Sequence, residues 1–188
     1  TFALKPTQAA IIARGLRAAL PRARELARKL HGHTVAVLTS DHASYPQRLM
    51  RTMEKPPTVL YGAGNLDALD RAMVAVLTSN DAPREARQAA RLAAQVAIEH
   101  DFVPVTGHNR PEYQDSALAA RRRDVPTCYI LDRGIMTVSG VEHDAGLFPA
   151  ARIWRRSDQQ PGDLILSALH PTMPATPGSN RRRDEIVA

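Results

Sequence analysis

The sequence predicts an α/β protein with a doubly wound, mostly parallel sheet. Short runs of β-branched and apolar residues alternate with longer segments of helical character. The runs are continuously apolar, as is typical of strands buried on both faces, and their spacing leaves room for crossover helices. The predicted strands lie at 33–39, 74–78, 102–107, 127–131 and 163–167.

The N-terminal segment predicts a helical extension. Residues 7–30 are rich in Ala, Leu and Arg, and Pro21 is expected to split them into two helices because proline interrupts the hydrogen-bond ladder. We therefore expect a helical extension over 1–34 and the main domain over 35–188.

The remaining elements follow in order along the chain. A helix is predicted from Pro83 to His100, with its alanine-rich side and Val96 facing the sheet. A second helix is predicted over 113–123, and Cys128 is expected to lie buried in the middle of a strand. Residues 133–162 predict an irregular connection. The proline-rich stretch from Pro171 to Gly178 is expected to be extended, laying Arg181–Arg183 over a surface.

The composition favours a polyanionic partner. The chain has 188 residues with 25 Lys and Arg against 19 Asp and Glu, a net charge of +6, and all but three of the cations are arginine. The guanidinium group presents a planar fork to phosphate, which suits nucleic-acid binding. No apolar run is long enough to span a bilayer, so no membrane partner is expected. The single cysteine excludes an intramolecular disulfide, and a cytoplasmic location is expected.

The ends of the predicted strands supply the candidate ligand site. Ligands of open α/β sheets bind outside the carboxyl ends of the strands. The polar residues expected there, which could line a small-ligand pocket, are Ser79, Asn80, Thr106, Gly107, His108 and Asn109. Arg84 opens the helix after the second strand, where backbone N–H groups favour an anion.

Signatures of catalysis are missing from the sequence. There is no P-loop, no Gly-x-Gly-x-x-Gly motif and no Gly-x-Ser-x-Gly elbow, and His31 and His33 lack a third ligand at metal-binding spacing. We therefore expect no enzyme activity, no cofactor and no metal.

Two segments carry a resemblance to a known family. The first runs from Asp41 through Tyr45-Pro46 and Pro56-Pro57 to Gly62, and predicts a turn, a short helix, a proline stop and an apolar run. The second begins at Ser167-Ala-Leu-His170-Pro171 and closes with Ile186-Val187-Ala188. In this order they resemble the DNA-processing protein A family (DprA, also called Smf), over roughly residues 35–188. The resemblance implies a Rossmann-like core.

The chain departs from the family pattern at the expected site. The family's Gly-Ser-Arg is here Thr78-Ser79-Asn80, and the loop after Thr106-Gly107 is shorter, without the family's Asp and His. Ala168 stands where the family has Glu, and the closing Arg-Asn-Arg is here Arg183-Asp184-Glu185.

The resemblance implies a protein that binds single-stranded DNA in recombination and DNA uptake. It also implies self-association, here as a homodimer, and the RecA recombinase as a partner. Two alternatives stay open: a nucleotide or small-ligand module, and a scaffold that retains only protein–protein contacts. For DNA binding, we expect phosphate contacts from Arg84, Arg110, Arg121, Arg122, Arg181 and Arg182.

Overall fold

A computed structural model describes residues 5–79, 81–107, 110–138 and 162–188. Two compact units are present, Thr1–Val35 and Ala36–Ala188. Within the described ranges the helices are α1 (Pro6–Gly32), α2 (Gln47–Thr52), α3 (Arg84–Glu99), α4 (Pro111–Arg121) and α5 (Pro177–Val187). The strands are β1 (Ala36–Thr39), β2 (Val59–Gly64), β3 (Met73–Val74), β4 (Val103–Thr106), β5 (Cys128–Ile130) and β6 (Leu164–Ser167).

The described strands form one six-stranded sheet in the order β1-β2-β6-β5-β4-β3. Strand β2 runs antiparallel to both of its neighbours, while β3, β4, β5 and β6 pair in parallel. In the parallel part Cys128 lies opposite both Val105 and Leu164. This register brings the carboxyl ends of β4, β5 and β6 to one edge of the sheet. The predicted α/β class, the mostly parallel sheet and the N-terminal helix are confirmed.

The segment that carries the first family resemblance folds as predicted in its short helix and proline stop, but its apolar run, which is not among the predicted strands, forms β2 between β1 and β6. Helix α2 follows Pro46, and β2 follows the Pro56-Pro57 pair. The Tyr45 hydroxyl donates a hydrogen bond of 2.5 Å to the backbone carbonyl of Pro57, which closes the loop between them. Tyr45 and Leu49 join the central core with strand residues such as Leu60 and Leu164. The lead-in is thus part of the sheet and its core.

Helix α1 corrects the prediction of two N-terminal helices. It is continuous, with Pro21 inside it. Proline removes one backbone hydrogen bond, but the flanking Ala, Leu and Arg residues have high helix propensity and sustain the helix on both sides. It ends before Thr34, whose φ of 54° lies in the left-handed region.

The C-terminal tail corrects part of the prediction of an extended segment: residues 171–176 carry no helix or strand, but Pro177 and Gly178 already belong to a helix that also contains Arg181–Arg183. Helix α5 begins at Pro177, because Thr176 and Ser179 cap it reciprocally. The Thr176 hydroxyl accepts from the Ser179 N–H at 3.2 Å, and the Ser179 hydroxyl accepts from the Thr176 N–H at 2.8 Å. Proline at the first helical position is compatible with this cap because its missing N–H has no helical partner there.

Helix α3 corrects the predicted orientation of its alanine-rich side. Ala94 and Ile98 are buried, whereas Ala86, Ala89 and Ala93 are exposed and Val96 is 53 % exposed. The reason is the shortness of β3, which pairs only at Met73 and Val74 instead of over the predicted 74–78. Helix α3 therefore packs mainly on α4. Most of the predicted connection, residues 139–161, lies outside the described residues.

Candidate nucleic-acid interface

The carboxyl-end edge of the sheet is filled by side chains from α4 and α5. A Cβ placed on Gly107, just after β4, would lie 2.6 Å from Cε2 of Tyr113 and 2.9 Å from Cδ of Arg183. Tyr113 and Arg183 are each 1 % exposed. Only glycine leaves room for these two side chains, so the requirement for Gly107 is one of packing.

A charge network at this edge centres on Arg183. Its guanidinium donates to Oδ1 of Asp184 at 2.8 Å and to Oδ1 of Asn180 at 3.1 Å, and it lies 3.7 Å from Oδ2 of buried Asp132. The group also sits 5.4 Å from the centre of the Tyr113 ring, within cation–π range. A buried guanidinium needs such partners because an unpaired charge in the interior is costly. The network ties α5 to the end of β5.

Asp184 connects Tyr113 and Arg110 to the same network. It accepts from the Tyr113 hydroxyl at 2.8 Å, and it forms an ion pair of 2.7 Å with Arg110. Burial, and then the hydrogen bond to Asp184, raise the pKa of Tyr113 above its ordinary range, so this phenol stays protonated and donates. Arg110, one of the predicted phosphate contacts, is therefore half-buried and paired within the protein.

The predicted ligand pocket is described only in part. Thr106 is 1 % exposed, and in the described ranges its hydroxyl is the buried side-chain oxygen that lacks a hydrogen-bond partner. Ser79 is exposed, and Gly107 is buried beneath Tyr113 and Arg183. Asn80, His108 and Asn109 lie outside the described residues. The structure thus brings Thr106 and Gly107 together and leaves Ser79 at the surface.

The arginines of α5 are also paired. Arg181 and Arg182 each lie 3.2 Å from a carboxylate oxygen of Glu185, and Arg182 donates to the Lys55 carbonyl at 2.8 Å. Arg181 remains strongly exposed, whereas Arg182 is half-buried. A phosphate could reach both side chains only in competition with Glu185.

The predicted arginines on α3 and α4 differ in their surroundings. Arg84 and Arg122 are exposed, and neither side chain makes a hydrogen bond or ion pair with the described part of the chain. Arg121 is half-buried and engaged within the protein. Two arginines that the sequence analysis passed over, Arg87 and Arg91, share a helix face with Arg84. Their spacing of three and seven residues from Arg84 is the signal that could have found them.

No helix in the described ranges is both long and apolar enough to cross a membrane. The same ranges contain no cluster of three His, Cys, Asp or Glu side chains suited to a metal ion.

Comparison with known proteins identifies the family. A sequence profile described as DNA recombination-mediator protein A matches residues 36–188. The chain belongs to this family. The recombination-mediator A match begins at β1 and includes every strand of the sheet, so it excludes only the N-terminal unit. No curated protein sequence matches the chain significantly.

Two solved structures of recombination-mediator A proteins share the fold. DNA processing protein A from Streptococcus pneumoniae superposes with a TM-score of 0.63 at 21 % identity, covering 81 % of this chain and 50 % of that protein. The Helicobacter pylori protein superposes with a TM-score of 0.57 at 17 % identity, covering 81 % of this chain and 64 % of that one. The Helicobacter structure is described as giving insight into a unique mode of single-stranded DNA binding. This chain therefore spans half of one relative and under two thirds of the other.

Proposed function

We propose that this recombination-mediator A chain binds single-stranded DNA through its arginine side chains, without preference for sequence. The observation that carries the proposal is the exposure of Arg84, at the start of α3, and Arg122, just after α4, two cations without partners in the described part of a chain from this family. Such side chains lose little by contacting phosphate, because no internal ion pair has to be broken. Arg110, Arg121, Arg181 and Arg182 complete the proposed surface, with phosphate replacing carboxylate at the paired ones.

The composition supports contact with the backbone over contact with the bases. Aromatic residues make up only 4 % of the chain, and Tyr113 is buried, so platforms for base stacking are scarce. The net charge of +6 favours release of counterions from the strand. Binding should therefore depend steeply on salt and weakly on sequence.

By extension from the family, we propose a cytoplasmic, non-enzymatic role in recombination and DNA uptake, as a homodimer that presents the strand to RecA. The test is RecA filament formation on DNA coated with a single-strand-binding protein, with and without this chain. Faster filament formation is the expected result, and an unchanged rate with DNA that this chain demonstrably binds would contradict the RecA step alone.

DNA binding itself is tested by fluorescence anisotropy with a labelled single strand of about 30 nucleotides, longer than the site of a small binding domain. The titration is run at two or more salt concentrations with oligo-dT and with a mixed sequence. We expect similar affinities for both strands. The slope of log K against log salt concentration should become more negative by about 0.7 for each phosphate contacted. No binding at low salt, or binding that ignores salt, would refute the proposal.

One observation favours the small-ligand alternative. A buried hydroxyl without a partner is uncommon in native proteins, and the Thr106 hydroxyl has none among the residues that the structure describes. A ligand oxygen at the end of β4 would satisfy it. The test is thermal denaturation with a panel of nucleotides, because a ligand at 100 times its dissociation constant adds about 2.7 kcal/mol of stability. No shift with any nucleotide would argue against this alternative.

A further inference from the structure

One face of α3 carries a row of arginines. Arg84, Arg87 and Arg91 are exposed and lie three and four residues apart, so their side chains project from the same side of the helix. With a rise of about 1.5 Å per residue, the row is about 10 Å long. That length matches about three phosphates of a stacked strand, at about 3.4 Å each.

A series of cavities follows this row and continues onto α4. The largest, about 610 Å³, is lined by Arg84, Arg87, Gln88, Arg91 and Leu92. Two smaller cavities of about 190 and 160 Å³ also have Arg91 in their lining, and the last of them reaches Arg122. Arg91 is thus common to all three, and the cations form a path from the start of α3 to the end of α4.

The charge balance changes along the path. The described lining of the largest cavity contains three arginines and no carboxylate. Acids enter only in the smaller cavities, as Glu112 and Asp115. Asp115 accepts from Nε and Nη2 of Arg91 at 3.1 and 3.0 Å, but Arg91 is 59 % exposed, so this is a weak, solvent-screened pair.

The arginines of the α3 row are also less engaged in contacts with other described residues than the arginines of α5. Among the described residues Arg87 uses only Nε, donating to the Ala82 carbonyl at 2.9 Å, and its two terminal nitrogens have no partner there. On α5, by contrast, Glu185 pairs with both the exposed Arg181 and the half-buried Arg182. A phosphate strand therefore meets less internal competition on α3.

We infer that Arg84, Arg87 and Arg91 form the main phosphate-binding track of this protein, with Arg122 at its far end. This inference rests on the proposed DNA binding and adds where the strand lies. Gln88, within the largest cavity, supplies an amide beside the phosphates. Leu92, which is 55 % exposed, provides an apolar neighbour for the sugar and base edges.

The test compares two triple variants that each remove three positive charges from a helix. The first is Arg84→Gln/Arg87→Gln/Arg91→Gln. The matched control removes three exposed arginines of α1, in Arg14→Gln/Arg17→Gln/Arg24→Gln. Anisotropy titrations with labelled oligo-dT give the slope of log K against log salt. The α3 variant should lower the magnitude of this slope by about 2, at about 0.7 per phosphate contact, while the α1 variant leaves it nearly unchanged.

Two further single variants test the α3 track without relying on the triple variant, which could lose binding through misfolding. Arg84→Glu breaks no described contact and should weaken binding on its own, with an unchanged circular dichroism spectrum. Asp115→Asn frees Arg91 from its carboxylate and should tighten binding and steepen the slope.

The outcomes distinguish a failure of the proposed DNA binding from a failure of the α3 track alone. If the unmodified protein does not bind the strand, the proposed function fails. If it binds and the α3 triple variant binds equally well, or loses no more than the α1 variant, the strand lies elsewhere and only the α3 track is overturned.

Discussion

Replacing Arg183 with methionine should be among the most destabilising single changes in this chain. The side chain is 1 % exposed and contacts Asp184, Asn180, Asp132 and the Tyr113 ring. Methionine fills a similar volume but removes one of the two cations beside Asp132, which is 3 % exposed; the other, Arg133, remains with its Nε 2.9 Å from Oδ1 of Asp132. Removing one member of a buried ion pair costs about 3–5 kcal/mol when the remaining charge is left uncompensated. Because Arg133 still compensates part of the Asp132 charge, we expect the lower end of that range.

The assay is urea denaturation followed by circular dichroism. We expect the free energy of unfolding to fall by about 3 kcal/mol, and the melting temperature by about 10 °C for a domain of this size. The matched control is Arg181→Met on the same helix. Its side chain is 86 % exposed and pairs only with Glu185 among the described residues, so the loss should stay under about 1 kcal/mol.

A second variant tests the electrostatic reasoning. Adding Asp132→Asn to Arg183→Met removes the carboxylate that has lost one of its two cations, so the double variant should be more stable than the sum of the two single changes predicts. Equal losses for Arg183→Met and Arg181→Met, or strict additivity of the double variant, would refute the claim that buried charge pairing holds α5 in place.

Three further predictions concern Gly107, Cys128 and Glu185. Gly107→Ala should cost about 1–3 kcal/mol in urea denaturation because the new methyl group overlaps the Tyr113 ring, and Tyr113→Leu should relieve part of that strain. Burial raises the pKa of Cys128 to about 12, so iodoacetamide at pH 8 should modify it only in unfolded protein; rapid labelling of folded protein would contradict the burial. The pKa of the Cys128 thiol in the folded protein lies above the unfolded value of about 8.5. The thiol's contribution to stability is therefore intact below a pH of about 8.5 and is lost as the pH rises towards about 12. The measurement is the urea midpoint, which should decline over that range. Glu185→Gln should free its two arginine partners and tighten binding to single-stranded DNA at low salt; weaker binding would show that the pairs help to position the arginines.

Local patterns in the sequence determined five of the six described strands in outline and most of the helices, whereas β2 was not predicted as a strand. The apolar run before Thr106 and the one around Cys128 form strands because continuous β-branched sequence suits a strand buried on both faces. Pro46 and Pro56-Pro57 bound α2 because proline fixes φ and cannot donate. Cys128 lies buried in its strand, as predicted. These outcomes depend on a few neighbouring residues, so the sequence alone could supply them.

Other features depended on partners far away in the chain. The exposed alanine-rich side of α3 could not be anticipated, because hydrophobic periodicity shows that a helix has an apolar side but not which neighbour will cover it. The extent of β3 depended likewise on how far β4 accompanies it.

The candidate site most clearly combines features set by local sequence with features set by long-range packing. The sequence located Gly107 at a strand end and an arginine cluster in the tail. Only the tertiary structure placed Arg183 beneath Gly107 and against Asp132, residues separated from it by 76 and 51 positions. Charge in a sequence does not reveal whether it faces solvent or a buried carboxylate, because that depends on long-range packing. For the same reason, the tail arginines proved to be internally paired, while Arg84 on α3 remained free of partners in the described part of the chain.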